Sequence, residues 1–294
     1  MKNSNYLLLI VLVASCFISC QKPDTSIRVM SYNIRLGIAD DGANSWECRK
    51  VATPAMLDAI QPDMFGVQEA YDFQIDYILS SCPRYACVGV GREDGISEGE
   101  HMSIFYDSTR YDLLRWGTYW LSETPNIPSR GWDAMCKRTA TWTLLQNKIS
   151  GQKLFYLNTH LDHVGWEARK NGLRLLYDNI SVMNPEGLPI ILTGDFNVLP
   201  DNEGLADIEK LMSSARFTAK DRDTIGSFNG FGKKGYSNAA PTLEEKQKNI
   251  LWPLDYIYYQ GAKECLCFKV DTTTYENIRY ISDHYPVYAD ITLR

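Results

Sequence analysis

The chain is predicted to fold as an α/β domain in which two mixed β-sheets pack face to face with helices outside. Strand-like and helix-like segments alternate through each half of the sequence, an order that two stacked sheets with helical covers accommodate. The run from Leu188 to Leu192, broken only by Pro189 and closed by Thr193-Gly194-Asp195, reads as a strand buried on both faces that delivers polar groups to a sheet edge. With 294 residues, 45% hydrophobic and 12% aromatic, and no internal shift of composition, one large domain is expected.

The first 20 residues are set apart. Lys2 precedes an apolar run from Tyr6 to Ile18, shorter than the about 20 residues that a membrane span needs but suited to an export signal. Cys16 and Cys20 both stand in contexts resembling the bacterial lipoprotein signal. Cys20 is preferred for lipidation because the polar segment 21–26 follows it as a tether, whereas processing at Cys16 leaves Phe17 and Ile18 exposed. The expectation is an exported, monomeric protein held to a bacterial membrane at Cys20, with its domain at 27–294. Ordinary secretion with cleavage nearby is the alternative. Export permits disulfides among the six remaining cysteines, but their spacing matches no zinc site, and buried free thiols are expected.

Taken in order, Ile27 to Asn33 alternates like a strand. Trp46 to Ile60 reads as a helix capped by Asn44 or Ser45, with Pro54 forcing a kink or a late start. Asp63 to Gln68 is a strand that ends in Glu69, and a helix follows near Asp72 to Ser81. Strands are expected at Tyr85–Val90, Met102–Tyr106 and Tyr111–Leu121, then a hairpin from Thr139–Asn147 and Lys153–Asn158 that runs on into His160. Trp166 to Met183 is helical, with Ala168, Leu173, Leu176 and Ile180 near one face. After the Leu188 strand come a helix near Leu205–Ser214, a long aperiodic loop at 223–253, a strand from Leu254 to Tyr259, and a last strand from Val287 to Leu293. A loop of that length is more often functional than idle.

The net charge of −6, without a dense Lys/Arg run, weakens a nucleic-acid substrate and argues against strong non-specific duplex binding, with an acidic enzyme carrying a local basic groove as the alternative. Strand ends instead collect Asn33, Glu69, His160, Asp195, Asn197, Asp255, Asp283 and His284. Two of the four histidines thus end strand-like runs beside carboxylates. Alternation sets Asp195 and Asn197 on one side of the backbone and turns Phe196 into packing.

These segments, Ser31-Tyr32-Asn33-Ile34-Arg35, Val67-Gln68-Glu69, Asn158 to Asp162, Gly194 to Asn197, Leu254-Asp255-Tyr256 and Ser282-Asp283-His284, resemble the ordered motifs of the endonuclease/exonuclease/phosphatase superfamily. The resemblance implies a four-layered α/β sandwich and metal-dependent hydrolysis of phosphate esters. It implies that Asn33, Glu69 and Asp283 hold Mg²⁺ or Mn²⁺, hard ions that suit oxygen ligands. His284, oriented by Asp255, becomes the general base, Asp195 and Asn197 position water, and His160 donates to phosphate or the leaving group. Some accounts of the family give the base to the residue matching Asp195.

Arg35 and Arg138 are candidate phosphate contacts, with a surface ion pair the alternative for Arg138. Pro253 stands where many relatives carry arginine. His101 and His163 are expected at the pocket rim or in structural roles. Trp116, Trp120, Trp132, Trp166 and Trp252 are expected in the core more often than in a pocket. The sequence therefore points first to phosphodiester hydrolysis, nuclease-like in type. A phosphatase or phosphodiesterase of a small substrate, such as an inositol phosphate or phospholipid headgroup, comes second, and a surface binding protein without catalysis third.

Overall fold

The computed structural model describes residues 26–232 and 253–294. The signal segment, Cys20, most of the tether, Trp252 and much of the long 223–253 loop lie outside the described residues. Among the described residues no helix is long and apolar enough to cross a membrane.

Among the described residues thirteen strands form two sheets. The first holds β1 (Ser26–Asn33), β2 (Met64–Gln68), β3 (Tyr85–Val88), β4 (Ile104–Asp107), β10 (Asp221–Arg222), β12 (Ala262–Val270) and β13 (Val287–Leu293), in the order β10-β12-β13-β1-β2-β4-β3. The second holds β5 (Tyr111–Trp120), β6 (Thr139–Asn147), β7 (Lys153–His160), β8 (Ile190–Asp195), β9 (Ser213–Ser214) and β11 (Asp255–Gln260), in the order β5-β6-β7-β8-β11-β9. Both sheets are mixed: β1 runs parallel to β2 and antiparallel to β13, and β8 runs parallel to β7 and antiparallel to β11.

Period-two alternation sorts the core into three layers. Val29, Met64, Ile104, Tyr156, Ile191 and Ile257 point between the sheets. Met30, Phe65 and Val67, from the same strands, turn outward onto α2 (Ala52–Ile60) and α3 (Asp72–Ser81). Leu157, Leu192 and Tyr258 turn outward from the second sheet onto α4 (Trp166–Met183) and α5 (Ala206–Leu211), where Leu173, Leu176, Ile180 and Ile208 are buried. The four-layered sandwich follows from this double-sided burial.

Towards one end the layer between the sheets becomes polar. Gln68 Nε2 donates to Asn158 Oδ1 at 2.7 Å, and Asn158 Nδ2 donates to the carbonyls of Val67 and Ser103 at 2.7 and 3.1 Å. The sheets approach so closely here that a Cβ on Gly66 would fall 2.2 Å from the Asn158 side chain.

The predicted Trp46–Ile60 helix is two: α1 (Trp46–Arg49) and α2, which starts late so that Pro54 falls in its first turn, where no intrahelical N–H is required. Ser45 occupies the N-cap of α1 without a side-chain cap bond; its hydroxyl lies 3.4 Å from Cys48 Sγ instead. The helix predicted to run to Ser214 stops at Leu211, because Ser213–Ser214 pairs with β11 as β9. Among the described residues the last α-helix is α6 (Ala215–Thr218). β12 is absent from the sequence expectation. The six cysteines outside the first 20 residues are free thiols, with Cys82, Cys265 and Cys267 buried.

Candidate active site

Register brings the site together. In the second sheet His160 pairs with Asp195 across β7 and β8, and Asp195 pairs with Asp255 across β8 and β11. Three adjacent strands therefore place His160, Asp195 and Asp255 in one row on one face. In the first sheet Asn33 pairs with Gln68, which sets Asn33 beside Glu69 at the matching end of β1 and β2. Asn33 Nδ2 then crosses between the sheets, donating to Asp195 Oδ2 at 2.9 Å and to Glu69 Oε1 at 3.1 Å.

His284 enters on the turn before β13. Its Nδ1 meets Asp255 Oδ2 at 2.7 Å, and its Nε2 lies 3.7 Å from Asp195 Oδ2. Burial opposes charge on this ring, but Asp255 and Asp195 outweigh it and push the imidazole up to about 10. The ring is accordingly cationic at neutral pH and Nε2 is a donor. Burial, with the charge of Asp255, pushes the Asp195 carboxyl up to about 7 against the opposing pull of His284 and Asn33. His160 is held well below its ordinary value by burial and by Arg138 and Arg92.

Asn197 Nδ2 lies 2.9 Å from His160 Nε2 and donates to the Leu161 carbonyl at 3.1 Å, which commits the amide nitrogen to this side and makes Nε2 the acceptor. His160 therefore carries its proton on Nδ1, which is buried without a partner among the described residues. That arrangement differs from the role of donor to phosphate implied by the resemblance, because the nitrogen nearest the carboxylate has no proton to give. Phe196 turns away as expected and stacks on Tyr256 at 4.9 Å and Tyr258 at 5.8 Å. β8 ends at Asp195, however, and Asn197 reaches the site through a left-handed φ of 52°.

Glu69 and Asp283 are the hard ligands that fit a divalent cation. The Arg35 guanidinium already lies between them, Nη1 being 3.9 Å from Glu69 Oε2 and 3.7 Å from Asp283 Oδ2, so positive charge is accommodated at that point. Asn33, expected as a third ligand, is placed as a brace: its Oδ1 accepts from the Arg35 backbone N–H at 3.0 Å and its donor nitrogen faces the carboxylates. A tighter triplet, Asp195, Asp255 and His284, also offers ligand atoms within 4.8 Å of one another, but the His284–Asp255 hydrogen bond occupies it.

Arg35 is aimed by Asp41, at 3.0 and 3.2 Å. Arg49, which sequence reasoning passed over, is 1% exposed and donates to the carbonyls of Ile34, Arg35, Asn44 and Ile281. It thereby ties the loop of Arg35 to the turn of Asp283. Arg138 is buried rather than in a surface ion pair: Nε donates to Asp162 at 3.3 Å, Nη2 lies 3.0 Å from His163 Nδ1, and Nη1 makes no bond among the described residues.

Of these groups, Arg35, Glu69, Arg138, His160, Asp195, Asn197, Asp283 and His284 line a cavity of about 430 Å³ with Arg92, Glu100, Cys136, His163 and Phe228. Arg92 and Glu100 were not anticipated, since they belong to an aperiodic loop. His101 is buried outside the cavity, against Asp72 at 2.9 Å. Trp120 is buried and Trp116 is 43% exposed, and neither lines the cavity; Pro253 borders a separate cavity with Leu199 and Phe217.

A four-layered α/β sandwich with a carboxylate-backed histidine and paired hard ligands at one end defines a class of phosphoester hydrolases. The model of the Endonuclease/Exonuclease/phosphatase family matches residues 30–284, and the chain belongs to this family, whose members hydrolyse phosphoesters and generally use divalent metals. Among solved structures, an endonuclease/exonuclease/phosphatase family protein of Bacteroides thetaiotaomicron is 32% identical, with a TM-score of 0.82, covering 91% of this chain and 98% of that one. A mannosyl-6-phosphatase of Bacteroides thetaiotaomicron VPI-5482 is 31% identical, with a TM-score of 0.82 over 90% and 99% of the two chains. Nocturnin of Mus musculus is 24% identical over 91% of this chain, which spans 64% of the length of that relative.

Proposed function

We propose that the chain is a metal-dependent phosphoesterase that removes a phosphate group from a small molecule. The observation that carries this reading is the cavity: about 430 Å³, with Arg35 and Arg138 around one reactive end. That volume suits a single small ligand, and a phosphomonoester brings up to two charges to one point, whereas a polymer calls for cations spread along a groove. The net charge of −6 and the 31% identity to a mannosyl-6-phosphatase support the same choice. The small-substrate alternative of the sequence is thus preferred here to its nuclease-like first choice.

In this reading Glu69 and Asp283 hold Mg²⁺ or Mn²⁺, which when bound neutralises charge on the phosphate and the leaving oxygen. Asp195 Oδ2 lies between Asn33 Nδ2 and the Nε2 atoms of His284 and His160, at 2.9, 3.7 and 3.6 Å, and accepts the proton of the attacking water. Asp255 orients the His284 ring so that Nε2–H donates to a phosphoryl oxygen. The base is therefore Asp195 rather than His284, because Nδ1 is committed to Asp255 and Nε2 faces a carboxylate. Arg138 Nη1 holds another oxygen, and Asn197 keeps His160 in place. The apolar run ahead of Cys20 supports an exported, lipid-anchored form, for which Cys20→Ser should release the protein from membranes.

The test is hydrolysis of a generic phosphomonoester and a generic phosphodiester with Mg²⁺, Mn²⁺ or chelator, using Asp195→Asn and His284→Ala as blanks. Chelator-sensitive monoester turnover, lost in both variants, is expected. Preference for the diester would restore the nuclease-like reading, and turnover indifferent to chelator would sink both.

A further inference from the structure

Arg92 and Glu100 form a wall of the cavity that the chemistry above leaves unused. Glu100 is 9% exposed, and its Oε2 meets Arg92 Nη1 at 2.7 Å. The second carboxylate oxygen and Arg92 Nη2 make no bond among the described residues, so an acceptor and a donor stand side by side at the cavity wall. Each charge of the pair offsets the other, so the pair adds little to phosphate binding and is open to another use.

Holding the loop does not rest on that pair alone. The 91–101 loop is already fixed by Asp94 Oδ1, which accepts from the N–H groups of Ile96, Ser97 and Glu98 at 2.8 to 3.0 Å. Trp120 Nε1 donates to the Arg92 carbonyl at 2.7 Å, Lys137 Nζ donates to the Glu93 carbonyl at 2.8 Å, and the Arg92 N–H donates to the Glu100 carbonyl at 3.0 Å. None of these bonds uses the Glu100 side chain. The wall is pre-organised without it.

Resting on the phosphoesterase reading, we propose that Arg92 and Glu100 read hydroxyl groups on the alcohol part of the substrate, so that the site takes the phosphate ester of a sugar or cyclitol. A hydroxyl is both donor and acceptor, so neighbouring hydroxyls can accept from the guanidinium and donate to the carboxylate together. An aryl leaving group offers neither bond. A chain of further phosphates finds little net positive charge here, because Glu100 offsets Arg92.

The experiment compares glucose 6-phosphate with phenyl phosphate as substrates of the full chain, its Glu100→Gln variant and its Glu100→Ala variant. The wild type should prefer the sugar ester. Each variant should lower the ratio of kcat/KM for the sugar ester over the aryl ester by about tenfold or more, through KM on the sugar ester. A ratio unchanged in both variants, or a wild type that prefers the aryl ester, overturns the inference and leaves the phosphatase reading standing. A wild type that turns over neither ester, while cleaving a diester, overturns both.

Discussion

The side-chain amide of Gln68 donates to Asn158 Oδ1 across 2.7 Å and so joins the two sheets directly beneath the site. Removing Asn158 would take one partner each from the carbonyls of Val67 and Ser103 and from Gln68 Nε2, all of them buried, although Ser103 keeps the Val67 N–H and Gln68 keeps Ser31 Oγ. Asn158→Leu is expected to cost about 2–4 kcal/mol, since several buried polar groups lose partners at once. Urea melts at neutral pH check this. A loss under about 0.5 kcal/mol would mean that water replaces the amide.

Gly66 lies at the same crossing, where an added Cβ would meet Asn158 and Thr193. Gly66→Ala is expected to lower stability by roughly 1–3 kcal/mol through overpacking, and to lower activity because β2 carries Glu69 at its end. Thermal melts and turnover should fall together.

In the proposed mechanism Asp255 acts through His284, which it meets at 2.7 Å. Asp255→Asn leaves the shape intact but offers a different bond to Nδ1, and a drop in kcat of about 10²–10⁴ is expected with little change in circular dichroism. A kcat within threefold of the wild type would remove Asp255 from the mechanism.

Asp162 organises the wall opposite. It is 1% exposed and accepts from the N–H groups of Met135, Cys136, Val164 and Gly165 and from Arg138, so its carboxyl is held well below the ordinary carboxylate range, although burial acts the other way. A depressed folded value means stability that is fully present above the unfolded pKa of about 4 and is lost as pH falls toward the folded one. The deficit of Asp162→Asn relative to wild type should therefore be full at pH 7 and shrink below about pH 4. Denaturation at pH 7 and pH 3 compares the two, and a deficit that grows on acidification contradicts this assignment.

Much of this was legible beforehand because apolar strands that end in Asp, Glu, Asn or His declare both an element and its chemistry. Asp195 and Phe196 follow from alternation alone. Arg35, Glu69 and Asn197 reach their positions through left-handed backbone at φ 62°, 62° and 52°, which side-chain patterning does not encode. β12 escaped because its ladder with β13 shifts register between Ala262 and Glu264 and again between Cys265 and Cys267, which spoils the period. Arg92 and Glu100 are joined across a loop of glycine and acidic residues that is held by turn and cross-loop bonds rather than by any side-chain period. Asn33 was visible as a site residue, but whether its oxygen or its nitrogen faces the carboxylates depends on the Arg35 backbone.

The stacked rings of Phe196, Tyr256 and Tyr258 bind the strand of Asp195 to the strand of Asp255 on the face away from the cavity. The reactive groups consequently have no melting behaviour of their own: they are the polar fringe of a structural nucleus, and local opening that separated them would first have to unstack that ladder. Inactivation in denaturant should then trace the same curve as loss of tertiary structure, with amide protons of both strands exchanging only through global unfolding.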